Sequence, residues 1–299
     1  MSAYAQLLAE LAVPRLVGTP NHTRVRDVLK RELTARGFVV LEHRFPAAPR
    51  FPLRGGGRLP AEGINLIAVR PQTRVSTWLA AHYDSKGQPL SMASRLSWVA
   101  ATALSLAAAA VATFVGQGVW WWIPPLFLTG GFFVLNAVTD RSPGAVDNAS
   151  GLVAVLATLD ALAPDSGVGA IFLDAEELGL VGATALARER ANLLKDTAVI
   201  NFDGLDDRGA VVAFVHKPGS VVGAVAARLG ARPRGRLPVL VDGIPLARVA
   251  RECMTIMKGG WGTMRVVHTP RDTPERMTLE GLREVSGAVA ASLGHLGGP

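Results

Sequence analysis

The sequence predicts an α/β fold: a mixed, mostly parallel central sheet with helices on both faces, interrupted by an inserted hydrophobic helical hairpin. Three observations carry this. Short apolar runs bounded by turn residues alternate with segments of helical spacing, the pattern of parallel sheets. The strand-like run Gly169–Leu173 is followed at once by two adjacent glutamates, at the strand end where open α/β sheets bind ligands. One stretch, Leu96 to Thr139, contains no charged residue at all.

Taken in order, residues 3–12 are helix-like and Pro14–His22 is a turn-rich loop. Asn21 or Thr23 is positioned to cap a helix over Arg24–Arg36, which aligns Val25, Val28, Leu29 and Leu33 on one face and ends at Gly37. Phe38–Phe45 alternates as a strand, Gly55–Gly57 marks a loop, and Asn65–Val69 and Thr77–Ala81 are further strands, the second closed by His82-Tyr-Asp84. Trp98–Val115 is a helix of about 18 residues, the short end of the spanning range. Gly116–Gly118 turns the chain, and Pro124-Pro125 starts a second apolar helix to Val138. The tryptophans Trp120–Trp122 suit an interfacial belt. Lys86 and Arg95 precede this stretch, Arg141 follows it, and the turn is uncharged, so a membrane hairpin would keep both ends on the cytoplasmic side. A buried or dimer-forming hairpin is the alternative.

Asp147–Gly151 leads into an apolar helix, Leu152–Leu162. After the two glutamates come a helix over Leu178–Leu194, strands at Thr197–Phe202 and Val211–Val215, and a helix at Val221–Leu229. Val239–Val241 is extended, Ile244–Glu252 helical and Met254–Met257 a strand. Arg265–His268 leads into Thr269–Thr273, and Leu279–Leu293 is the closing helix. Residues 1–299 read as a single domain, with 96–139 inserted.

Bulk properties narrow the function. The 299 residues are 49% hydrophobic, with mean hydropathy +0.29. That supplies a core and leaves apolar surface for a membrane. The net charge of +7 is spread along the chain with no basic run interleaved with aromatics, which argues against nucleic-acid binding and suits an anionic leaflet. The single cysteine, Cys253, excludes a disulfide framework and a thiolate zinc cluster; its apolar setting reads as core. The first ten residues lack a basic region followed by an apolar core, so no secretory signal is expected.

Acidic or imidazole groups stand at strand ends or helix starts at His82, Asp147, Glu176, Glu177, Asp203 and His268. In a parallel sheet those ends share one edge. Taken singly, each has a plain structural explanation, Asp147 as a helix cap and Glu176-Glu177 as a solvated helix start. Taken together, imidazole and carboxylate are the donors zinc accepts outside thiolate sites. Asp147, Glu177 and Asp203 with a bridging hydroxide would balance two zinc ions, with Asp147 as the bridge. Asp84, two residues beyond His82, points the same way on an extended chain and can fix the imidazole. His22, His43, His216 and His295 lack this setting and read as surface or capping residues.

The pieces His82-Tyr-Asp-Ser, Val146-Asp-Asn-Ala-Ser-Gly, Asp174-Ala-Glu-Glu-Leu-Gly-Leu-Val-Gly, Asn201-Phe-Asp-Gly and Val267-His-Thr-Pro-Arg-Asp-Thr, in this order, resemble the di-zinc aminopeptidase family of peptidase clan MH. That clan also holds glutamate carboxypeptidases and glutaminyl cyclases. Pro14-Arg-Leu-Val-Gly-Thr-Pro looks like the family's opening. The resemblance implies a zinc exopeptidase acting on N-terminal residues of peptides through a metal-bridged hydroxide. His82 and Asp203 would hold one zinc, Glu177 and His268 the other, and Asp147 would bridge them. Glu176 would be the general base, and Asp84 would support catalysis. Asp242 and Asp272 are candidates for substrate contact or for bracing the ligands. Two departures stand out. Residues 86–143 fall outside the resemblance, where the family has a short connection. His82-Tyr-Asp-Ser-Lys86 and Asp242-Gly-Ile-Pro245 also resemble the glutaminyl cyclases, which use a similar ligand set with one zinc. A non-catalytic membrane scaffold is the third reading.

Overall fold

The computed structural model describes residues 3–48, 62–135, 137–231, 233–234 and 239–296. Helix α1 (Ala3–Leu11) buries Leu7, Leu8 and Leu11. Helix α2 (Pro20–Ala35) starts earlier than its apolar face suggested. Thr19 is the cap, its side chain accepting from His22 N, and Pro20 opens the first turn. Asn21 and Thr23 therefore lie inside the helix. Val25, Val28, Leu29 and Leu33 form the buried face as expected. The loop glycines Gly55–Gly57 lie outside the described residues.

Eight strands form one sheet in the order β1-β2-β4-β3-β5-β8-β6-β7. They are β1 (Val39–Pro46), β2 (Glu62–Val69), β3 (Thr77–His82), β4 (Val168–Leu173), β5 (Ala198–Leu205), β6 (Ala210–Lys217), β7 (Pro233–Arg234) and β8 (Glu252–Gly259). The four central strands β4, β3, β5 and β8 run parallel. They are almost wholly buried, as strands covered on both faces must be. Antiparallel pairs flank them: β1 on β2, β2 on β4, and β6 on β8.

Alternation along the strands divides the core in two. Leu79, Ala81, Ala170 and Phe172 join one cluster, while Trp78, Ala80, Ile171 and Leu173 join the other, the period of two that a strand imposes. The first cluster lies under α1, α2, α5 (Ser150–Asp160), α8 (Ser220–Arg228) and α11 (Glu280–Leu296). The second lies under α6 (Val181–Glu189), α7 (Ala191–Leu194) and the single turn α9 (Gly243–Leu246). The glycine at 169 has a steric reason: a Cβ there would sit 2.5 Å from the Trp78 ring.

Two expected helices differ. The segment Leu178–Leu194 is not continuous. Gly179 and Leu180 both have positive φ, which delays the start to Val181, and Arg190 interrupts the helix before α7. The segment Ile244–Glu252 yields only the turn α9. Glu252 instead opens β8, where its carboxylate accepts from Val222 N at the start of α8.

Between β3 and α5 the chain forms the predicted hairpin, α3 (Met92–Phe114) and α4 (Ile123–Leu135). Trp98 Nε1 donates to Leu128 O at 2.7 Å, and Gly131 leaves room for the Trp98 ring. Outward faces are apolar: Phe114 is 91% exposed and Phe127 76%. Among the described residues α3 alone is long and apolar enough to cross a membrane, and only 11% of its most apolar window is buried. The hairpin is therefore not a core element of this chain. Its neck is closed by two bonds, Gly87 N to Thr139 O and Thr139 N to Gly87 O. The helical turn α10 (Trp261–Met264) lies between β8 and His268.

Candidate metal centre

The parallel strands deliver their polar ends to one edge. His82 ends β3, Asp203 lies near the end of β5 beside a register shift, and Glu176-Glu177 follow β4. Asp147 arrives from the turn before α5, and His268 from the loop after α10. Every one of the five expected ligands is within this cluster. Donor atoms of His82, Asp147 and Asp203 lie within 4.8 Å of one another, and so do those of Asp147, Glu177 and His268. Asp147 belongs to both trios. Its Oδ1 is 3.1 Å from His82 Nε2, and its Oδ2 is 2.9 Å from His268 Nε2. Asp203 Oδ1 is 3.9 Å from His82 Nε2, and Glu177 Oε1 is 3.1 Å from His268 Nε2.

The motif around Asp147 is explained by its bonds. Asn148 accepts from Gly151 N and Gly204 N and donates to Phe202 O, tying the turn to β5 on both sides of Asp203. Ser150 Oγ donates to Val146 O and accepts from Leu205 N. A Cβ on Gly151 would lie 2.2 Å from Asn148 Oδ1. Asp272 braces the same turn: its carboxylate accepts from Val146 N and Asp147 N, and its carbonyl from Ala145 N.

Asp84 does more than the sequence suggested. The nearest acceptor to His82 Nδ1 is the Asp84 carbonyl at 3.2 Å, with the carboxylate at 3.5 Å. The two carboxylate oxygens accept instead from Glu176 N (3.1 Å) and Glu177 N (3.0 Å). Asp84 thus fixes the backbone that carries both glutamates. Asp242 is fully buried nearby, and among the described residues neither carboxylate oxygen has a hydrogen-bond partner.

Charge within the cluster is strongly redistributed. Burial raises the pKa of Asp147, but hydrogen bonds from His268 and His82 more than offset it and hold it well below the carboxylate range. Burial also raises Glu177, yet His268 and Lys86 pull it down to about 2. Glu176 goes the other way: burial, reinforced by Glu177, Asp242 and Asp203, lifts it well above the usual value despite His82. Burial pushes Asp203 up to about 7.

The donor set fits a metal. Two imidazole nitrogens and three carboxylates are the ligand types of a zinc site without cysteine. His82 Nε2 is buried with Asp147 Oδ1 at 3.1 Å and Asp203 Oδ1 at 3.9 Å, three donor atoms within reach of one ion. Like-charged carboxylates so close need a cation.

Sequence reasoning missed several contributors. His22 and His43 are not surface residues. His22 is buried, stacks on Tyr83 and bonds Asp174, which also accepts from Ile64 N and Tyr83 Oη behind the glutamate loop. His43 is buried between Glu189 and Asn65. Arg15 is fully buried, and its guanidinium donates to the carbonyls of Val13, Tyr83, Pro143 and Gly144. It joins the two chain ends from which the hairpin departs, which gives the Pro14-Arg opening a structural role. Lys86 and Arg95 reach Glu177 and His268 from the hairpin's root. Cys253 is buried core, as expected.

This fold and donor cluster define a metallopeptidase-like α/β protein. A family model described as peptidase family M28 matches residues 65–293, and the chain belongs to that family. The resemblance carried by the five motifs is thereby confirmed. Among solved structures, a glutaminyl cyclase from Porphyromonas gingivalis is 20% identical with a TM-score of 0.64, covering 99% of this chain and 97% of its own. BSAP, a zinc aminopeptidase from Bacillus subtilis, is 13% identical with a TM-score of 0.63, covering 98% and 94%. A leucine aminopeptidase precursor from Bacteroides thetaiotaomicron is 16% identical with a TM-score of 0.61, covering 97% and 94%. At these identities the likeness is one of fold. No curated protein matches the chain by sequence.

Proposed function

We propose that the chain is a zinc-dependent exopeptidase of the aminopeptidase type, anchored to a membrane by its hairpin. The observation that carries the reading is the shared carboxylate: Asp147 faces one histidine through each oxygen, with a terminal carboxylate beside each histidine. His82, Asp147 and Asp203 would hold one zinc, and Asp147, Glu177 and His268 a second. When bound, zinc supplies a Lewis acid that polarises the scissile carbonyl and acidifies water. The remaining work falls to side chains. Glu176, whose pKa burial and the neighbouring carboxylates raise, accepts a proton from the attacking water and passes it to the leaving amine. Asp84 keeps the Glu176 backbone in position through its bond to Glu176 N. Asp242, fully buried beside Glu176, is assigned to supporting the site from behind rather than to contact with substrate. Asp272 holds the Asp147 turn and is assigned to bracing rather than to substrate.

The hairpin's exposed apolar faces support residence in a bilayer, and the flanking Lys86, Arg95 and Arg141 favour a cytoplasmic catalytic domain. Residues 1–299 would then form a single catalytic domain with 96–139 as its membrane insert. A second reading, a glutaminyl cyclase-like enzyme with one zinc, is favoured by the buried, unpartnered Asp242 in Asp242-Gly-Ile-Pro245. One experiment separates the readings: zinc content of the purified chain together with assays on aminoacyl-nitroanilides and on peptides with N-terminal glutamine. Nitroanilide hydrolysis supports the peptidase, cyclisation without hydrolysis supports the cyclase, and absence of bound metal leaves the non-catalytic scaffold.

A further inference from the structure

The two halves of the centre differ in what stands behind their histidines. An imidazole that gives Nε2 to a metal carries its proton on Nδ1, and that proton normally meets a carbonyl or carboxylate. His82 is arranged this way, with the Asp84 carbonyl 3.2 Å from Nδ1. His268 is arranged in the opposite sense. Its Nδ1 lies 2.5 Å from an Arg95 guanidinium nitrogen, and a guanidinium only donates. Nδ1 therefore offers its lone pair, and the proton of the neutral ring sits on Nε2, facing Asp147 Oδ2 and Glu177 Oε1. A metal ion on Nε2 would need that proton on Nδ1, where it would collide with the Arg95 donor.

Glu177 is engaged in the same manner. Its Oε2 is 2.6 Å from Lys86 Nζ, and its Oε1 accepts from Lys86 N. Among the described residues no lysine or arginine pairs with Asp147 or Asp203. Both cations belong to the hairpin's root. Lys86 precedes the neck, Arg95 lies in the first turn of α3, and Gln88 N between them donates to His268 O. Charge points the same way. Asp147, Glu177 and Asp203 carry three negative charges against Lys86 and Arg95, so one divalent ion already brings these groups slightly past neutrality. A second divalent ion with Arg95 still in place would leave the cluster strongly positive.

We infer that the two metal positions are unequal and that the hairpin governs the second. The His82–Asp147–Asp203 position fills first. The Asp147–Glu177–His268 position fills only as Arg95 withdraws from His268. Arg95 is thus a positioning residue that ties metal loading to the seating of α3. This rests on the reading of the cluster as a zinc centre.

The test is zinc binding by the full-length chain in detergent micelles, dialysed against chelator-buffered Zn²⁺ and read as zinc per chain. The wild type should load in two steps at least tenfold apart in free zinc. Arg95→Met should tighten the second step about tenfold, the scale of changes behind a ligand, and leave the first unchanged. Arg95→Lys, which keeps the charge and the donor, should preserve the gap. Lys86→Met should tighten the second step independently, a safeguard if the Arg95 variant unfolds. His82→Ala should remove the tight step and spare the weak one. Two equal steps in the wild type, or a second step unmoved in both Met variants, overturn the inference while leaving the zinc centre standing. No zinc bound at any concentration overturns the zinc centre, and the inference with it.

Discussion

Replacing Asp84 by Asn tests how the centre is held. In the native chain the two carboxylate oxygens accept one backbone N–H each, from Glu176 and Glu177. An Asn amide has one acceptor and one donor end, so in either orientation an NH₂ faces a buried N–H. One charge-assisted bond is lost, about 1.5–3 kcal/mol, and one donor is left unsatisfied, about 1–3 kcal/mol. Removing a negative charge from a carboxylate-rich site gives back about 1 kcal/mol. The net cost is about 3 kcal/mol. At about 2–4 °C per kcal/mol for a large domain, the melting temperature should fall by roughly 10 °C. The displaced glutamate backbone should also weaken zinc binding about 10- to 100-fold. Circular dichroism melts in micelles and zinc dialysis measure the two effects. A variant that melts within 2 °C of wild type and holds zinc within twofold refutes the idea that Asp84 pins the glutamate loop.

Four further outcomes are expected. Glu176→Gln should keep its zinc and lose about 10²- to 10⁴-fold in turnover; peptide hydrolysis at the wild-type rate would remove Glu176 as the base. Arg15→Met should lower the melting temperature by several degrees, and Arg15→Lys should rescue little, because an ammonium cannot fork to carbonyls on both sides of the hairpin's root. Cys253 should resist thiol reagents in the folded chain, since burial pushes its pKa up. Its folded value lies above its unfolded value, so its contribution to stability is whole below about pH 9 and declines as pH rises beyond it; Cys253→Ala should flatten that alkaline limb in melts run from pH 8 to 10.5. Replacing residues 90–137 by a short Gly-Ser link should give a folded chain that stays in the aqueous phase on detergent partitioning, whereas the full chain should enter the detergent phase.

The elements legible in the sequence were those with local signals. The buried strands announce themselves as short apolar runs, and the five ligand candidates sit where those runs stop. The hairpin is visible from the absence of charge alone. What stayed hidden depends on partners far along the chain. His22 looks like a loop histidine until β4 brings Asp174 to it across 152 residues. Arg95 looks like the basic flank of an apolar helix until α10 delivers His268 across 173 residues. The insertion of β2 between β1 and β4 needs a pairing that periodicity cannot specify. The break at Arg190 and the single turn of α9 went unread because apolar spacing continues through both, while backbone geometry and the start of β8 do not.

The neck at Gly87 and Thr139 has a consequence for how such a chain varies over time. A Cβ on Gly87 would fall 2.6 Å from Thr139 Oγ1 and 3.0 Å from Arg141 N, so the passage tolerates little change. Whatever lies beyond it reaches the rest of the molecule through that gap, through Arg95 and through the packing of α3 on α10. Lengthening, shortening or exchanging the helices would leave the spacing of His82 and Asp147 untouched. Related chains could therefore acquire, trade or discard their tether in a single insertion or deletion, and Arg95, itself part of α3, would come and go with it.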